Sequence, residues 1–130
     1  MPKVIIGVAD HFDACHHLPT YEGKCKQVHG HTWHVVVEAE AEVDPTTGMS
    51  LDLTILKKTL HEALDVYDHQ DLNKFFPNPT CESLAITLCH FMHQRNLPVV
   101  NVMVQEGEGG YAIYTLPPIE QVGEQEKEER

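Results

Sequence analysis

Apolar and polar residues alternate most strictly between His29 and Val43. Trp33, Val35, Val37, Ala39, Ala41 and Val43 share one parity, while His34, Glu38, Glu40 and Glu42 take the other. A period of two over that length predicts a long strand with one covered face. It stops at Asp44-Pro45-Thr46-Thr47-Gly48, where the proline fixes φ and the glycine permits a positive one, so a turn is expected. The β-branched run Val4 to Ala9 predicts an earlier strand. That strand continues through an irregular His11–His17 stretch to Leu18 and Pro19, and Tyr21 to Val28 is expected to be a loop. After the turn the period changes. Leu53, Leu56, Leu60, Ala63, Leu64 and Tyr67 recur at spacings of three and four behind Asp52, which predicts an amphipathic helix with an aspartate cap. A loop follows from Asp68 to Pro79. Thr80 then caps a second helix carrying Leu84, Leu88, Phe91 and Met92, which stops at Asn96-Leu97-Pro98. Val99 to Glu106 and Tyr111 to Leu116 read as strands flanking Gly107-Glu108-Gly109-Gly110, a hairpin with one or two extra loop residues.

Two strands, two adjacent helices and two strands make an α+β domain: a four-stranded antiparallel sheet with both helices on one face. Residues 1–118 hold all of it, and the charged tail 119–130, with Val122 as its apolar anchor, is expected to be frayed. A small open sheet leaves edges that copies of the same chain can cover, so a homo-oligomer is expected. Nine Lys and Arg against 20 Asp and Glu give a formal charge of −11, which removes the cationic surface that nucleic-acid binding needs. No apolar run approaches the ~18 residues of a membrane span, and the apolar start is too short for a signal peptide. A soluble, cytoplasmic protein is expected. The four cysteines form no CxxC pair, so reduced thiols are the default. Ten histidines point to metal or proton chemistry.

His29-Gly30-His31 places two imidazoles at i and i+2, on one side of an extended segment and on the parity of Trp33. Together they can hold one ion. Catalytic zinc needs a third protein ligand, and His16 or His17 on the preceding strand is the natural source. Hydrogen-bonded strand histidines satisfy the same pattern. Cys25 lies between Lys24 and Lys26, cations that favour a thiolate; Cys81, Cys89 and Cys15 read as small apolar fillers. Asp68-His69 can serve as an oriented proton-transfer pair or as two solvated loop residues. Glu106 shares parity with Val100, Val102 and Val104, and a carboxylate on an apolar face needs a partner unless the strand has already ended at Gln105.

Taken together, Phe12-Asp13-Ala14-Cys15-His16-His17-Leu18, the CxxxHGH of Cys25–His31, the DHxxLN of Asp68–Asn73, the PTxE of Pro79–Glu82 and Val104-Gln105-Glu106 resemble the 6-pyruvoyltetrahydropterin synthase family. The resemblance runs from about residue 4 to 116. The Cys-to-HGH spacing and the compact length look most like its queuosine branch, the 6-carboxy-5,6,7,8-tetrahydropterin synthases. The resemblance implies a tunnelling fold assembled as an oligomeric barrel, a homohexamer built as a dimer of trimers with sites between subunits. It implies Zn2+ on His16, His29 and His31. It assigns Cys25 as base or nucleophile, Asp68 and His69 as the proton relay, and Glu106 as the carboxylate that holds the pterin ring. Thr80 and Glu82 would shape the pterin pocket, Glu82 from a neighbouring subunit in one arrangement. The implied reaction converts 7,8-dihydroneopterin triphosphate to 6-carboxy-5,6,7,8-tetrahydropterin, acetaldehyde and triphosphate. The alternatives are a 6-pyruvoyl synthase of the tetrahydrobiopterin type, a non-catalytic zinc-binding protein, and a zinc hydrolase using a carboxylate base.

Overall fold

The computed structural model of the protein describes residues 1–116, so the tail expected to be frayed lies outside the described residues. Two 14-residue strands, β1 (Lys3–His16) and β2 (His29–Glu42), dominate it. They pair antiparallel without interruption from Lys3↔Glu42 to His16↔His29. β1 therefore runs straight through His11–His16, all but the last residue of the stretch that reads as irregular in sequence. Asp10, His11 and Asp13 are poor strand formers, and full-length pairing with β2 overrides that local preference. On the far side of β2 lies β4 (Val99–Glu106), and β5 (Tyr111–Thr115) closes the hairpin on it.

The sheet has five strands rather than four, in the order β3-β1-β2-β4-β5. The additional strand, β3, is Gln70–Asp71, which pairs parallel with Ala14 and Cys15. Two residues carry no periodic signal, which is why the segment reads as loop in sequence. The register of β4 on β2 slips between Glu38 and Ala39, so Ala39 meets Val99 while Glu38 meets Asn101. This bulge reverses the parity of the strand start: Val99, Val102 and Val104 are buried, and Val100 leaves the series that continues to Glu106.

Helix α1 (Leu53–Asp65) starts as expected, with Asp52 accepting the Thr54 N–H at 2.9 Å. Helix α2 (Cys81–Gln94) opens with Thr80 and Ser83 in a reciprocal capping box. α1 packs on β1 and α2 on β4 and β5, and both cover one sheet face. Leu56, Leu60, Leu84 and Leu88 meet Phe12, Trp33, Val35, Val37, Val102 and Val104 in one core. Among the described residues the other sheet face carries no helix, and its Ile5 and Ile113 are both 56% exposed. No described helix is long and apolar enough to cross a membrane.

Candidate metal centre

Strand register builds the centre. His16 opposes His29 and Ala14 opposes His31, so all three imidazoles project from the helix-covered face at one end of the β1–β2 ladder. Glu106 opposes Trp33 and comes from the end of β4 onto the same face. One ligand atom from each of His16, His29, His31 and Glu106 lies within 4.8 Å of every other. The ring centroids of the three histidines stand 4.5, 5.3 and 4.7 Å apart. A Zn–N bond of about 2.1 Å puts an imidazole centroid about 3.2 Å from the ion, so two ligands at ~90–110° have centroids ~4.5–5.2 Å apart. The observed spacing fits one ion.

Hydrogen bonding fixes the tautomers. His16 Nδ1 donates to the Pro79 carbonyl and His29 Nδ1 to the Gln27 carbonyl, each at 2.7 Å. A carbonyl only accepts, so both protons sit on Nδ1 and each Nε2 keeps a lone pair, the orientation seen in metal-ligating imidazoles. The Nε2 atoms of His16 and His31 are buried without a hydrogen bond. His31 Nε2 stands 2.7 Å from Glu106 Oε1 but off the line of a hydrogen bond, and His16 Nε2 is 3.4 Å from the same oxygen. Burial lowers the His31 pKa; Glu106 opposes this, while His29 and His16 add to it. The ring is thereby held neutral, ready to ligate. Trp33 backs the cluster, edge-on to His16 at 4.8 Å and to His31 at 5.8 Å, with its Nε1–H donating to the Ala14 carbonyl at 3.2 Å.

His17, the other candidate third ligand, alternates away from the cluster, and its backbone exchanges hydrogen bonds of 2.9 and 3.0 Å with the Asn73 side chain. Beside His16 a cavity of about 270 Å³ is lined by Leu18, Thr80, Cys81, Glu82 and Glu106. One chain thus brings Thr80, Glu82 and Glu106 together. Cys89 is buried filler as expected, but Cys81 does more than fill: its Sγ lies 4.0 Å from Glu106 Oε2. Burial, then the Glu106 and Glu82 charges, push its pKa up to about 11, so it faces Glu106 as a neutral thiol. Cys15 points to the helix-free face and is only partly buried.

Asp68 and His69 do pair, Nδ1 to Oδ2 at 2.9 Å. Asp68 Oδ1 also accepts the Asp13 N–H at 3.0 Å, and the His69 N–H donates to the Asp13 carbonyl at 2.6 Å, which holds His69 at φ 59. The Asp13 N–H keeps Asp68 below the usual carboxylate range, and the hydrogen bond that His69 donates to Asp68 raises His69. This pair is not in the Glu106 cavity; His69 lines a separate depression of about 540 Å³ with Asp13, Cys15, Gly30, His31 and Thr32. Cys25 sits in the 3-10 turn Lys24–Lys26, its carbonyl accepting the Leu18 N–H at 2.7 Å, and lines neither cavity. Sequence reasoning missed the carbonyls of Gln27 and Pro79, which carry no residue-type signal, and Asn73, whose only cue was its place in the DHxxLN run.

A family model described as 6-pyruvoyl tetrahydropterin synthase matches residues 5–117. A putative 6-carboxy-5,6,7,8-tetrahydropterin synthase of Archaeoglobus fulgidus is 34% identical over 110 residues, 85% of this chain and 94% of the relative. A dihydroneopterin monophosphate aldolase of Pyrococcus furiosus is 34% identical over 87 residues, 67% of this chain and 72% of its own. The solved 6-pyruvoyl tetrahydropterin synthase of Caenorhabditis elegans superposes with a TM-score of 0.80 at 30% identity, covering 90% of this chain and 98% of that one. With the match spanning nearly every described residue and the metal centre built from its HGH run, the chain belongs to the 6-pyruvoyl tetrahydropterin synthase family.

Proposed function

We propose that the protein is a zinc-dependent lyase that converts 7,8-dihydroneopterin triphosphate to 6-carboxy-5,6,7,8-tetrahydropterin with release of acetaldehyde and triphosphate, a step toward queuosine-type 7-deazapurines. The observation that carries this reading is the convergence of three imidazole nitrogens beside a cavity that ends in Glu106. The Archaeoglobus fulgidus relative, matched over 94% of its length, supports the carboxy product. His16, His29 and His31 would hold the zinc, which would supply a Lewis acid able to lower the pKa of the substrate's vicinal hydroxyls.

The chain's own residues do the rest. Glu106 accepts the pterin N3–H and 2-amino hydrogens as a charge-assisted pair, and Thr80 and Glu82 shape the walls around the ring. Engaging the pterin takes the Glu106 carboxylate off His31 and His16. The Cys25 thiolate, between Lys24 and Lys26, removes a side-chain proton, and those lysines offer positive charge to the triphosphate. His69, oriented by Asp68, takes and returns protons. In one chain Cys25 and His69 line neither the Glu106 cavity nor one another's surroundings, which favours a homo-oligomer, a dimer of trimers, with active sites completed between subunits. The likeness to the Caenorhabditis elegans 6-pyruvoyl synthase supports a second reading, the same early proton transfers with a pyruvoyl product.

Product analysis separates them. Protein incubated with 7,8-dihydroneopterin triphosphate should release acetaldehyde and 6-carboxytetrahydropterin, and Cys25→Ala should keep its zinc while losing most turnover. A pyruvoyl pterin without acetaldehyde would replace the carboxy reading, and unchanged turnover in Cys25→Ala would remove Cys25 from the chemistry.

A further inference from the structure

A second pair of imidazoles lies on the helix-free face. His11 and His34 are direct partners in the β1–β2 ladder, in the same register that sets His16 opposite His29. Because side chains alternate along each strand, both rings point away from the core, on the face opposite Trp33 and His31. Both residues are exposed, their ring centroids are 6.1 Å apart, and their planes tilt by 43°. Among the described residues neither ring is hydrogen-bonded or ion-paired. Two imidazoles on one ion have centroids at most about 6.4 Å apart, twice the ~3.2 Å from ion to centroid, so this pair is within reach of a shared ion with the backbone as it stands. Rotation of two exposed side chains closes the angle further.

The surroundings favour a cation. Asp13 follows two residues along β1 on the same face, accepting the Thr32 hydroxyl at 2.5 Å, and Asp68 is close enough to His11 for their charges to interact. Imidazole nitrogens select borderline transition ions over Mg2+ or Ca2+, which prefer oxygen. We propose that His11 and His34 form a second, two-imidazole site for a divalent transition ion of the Ni2+, Cu2+ and Zn2+ class. An ion there ties β1 to β2 in the register that aligns His16 with His29, and it binds only the paired strands, so it stabilises the fold by mass action. The site acts as a register clamp on the face opposite the first centre.

The test uses protein whose first centre is filled with Zn2+, dialysed against Ni2+ alone. The parent should take up one additional Ni2+ per chain and show a higher Tm with it. His11→Ala and His34→Ala should each weaken that uptake at least about tenfold, because a single imidazole forfeits the chelate. The double variant should lose little more, and the Tm rise should vanish in all three. Zinc content should be unchanged, since neither histidine lies in the His16–His29–His31 cluster. His61→Ala, which alters an exposed His–carboxylate group on the helix-covered side of β1, should behave as the parent. Absence of the additional Ni2+, or its full retention in His34→Ala, would overturn the assignment.

Discussion

Glu106 touches three groups of the candidate site, His16, His31 and Cys81. Its side chain is 29% exposed and meets two imidazoles and the neutral Cys81 thiol, so the apolar setting expected from its parity is replaced by a polar one. The carboxylate nevertheless borders the cavity in which a pterin would lie. Glu106→Gln keeps the shape but turns one acceptor into a donor, leaving a mispaired contact that costs about 2 kcal/mol, roughly 30-fold in affinity. Calorimetric titration with a pterin should show that loss, and equal affinity would move ring recognition elsewhere. Which of these residues were legible in sequence follows from physics. Parity alone put His29 and His31 on the covered side. The residue pattern alone left His16 and His17 as alternatives, the family resemblance chose His16, and the β1–β2 register sets it opposite His29; the Nδ1 acceptors are backbone atoms that sequence does not mark.

At the scale of elements, α1 is tied to β1 by a polar contact under its apolar seam. Asp10, whose side chain is only 10% exposed, lies 3.0 Å from His61 Nδ1 and 3.7 Å from Lys57 Nζ, and Lys57 also donates to the Ala9 carbonyl. Burial raises the Asp10 pKa, but the His11 N–H, His61 and Lys57 outweigh it and hold the carboxyl below its ordinary value. The hydrogen bond that His61 donates to Asp10 raises His61. A depressed carboxylate stabilises above its unfolded pKa of about 3.9 and loses that contribution on acidification; a raised histidine stabilises below about 6.5 and loses it as pH climbs through its folded pKa. The contact therefore contributes most between those limits. His61→Ala should lower Tm most near pH 5–6, with the difference from the parent shrinking toward pH 9; a pH-independent difference would mean that His61 acts by packing alone. Sequence showed α1 and its cap because both are local. This tie links residues 51 positions apart and left no local trace.

For the whole molecule, the layout of helices on one sheet face was legible because periodicity changes from two to 3.6 and back. The fifth strand and the bulge at Glu38 were not, since each is a consequence of pairing and not of composition. The same pairing makes the candidate metal centre: 14 consecutive cross-strand pairs end in His16↔His29, and a slip by one residue would turn one partner's histidines to the helix-free face. The central claim is that this register gathers three imidazoles around one ion. Elemental analysis of protein prepared with zinc tests it most directly. The parent should hold about one zinc per chain, and folded His29→Ala and His31→Ala should each lose it; full zinc retention in both variants would contradict the account.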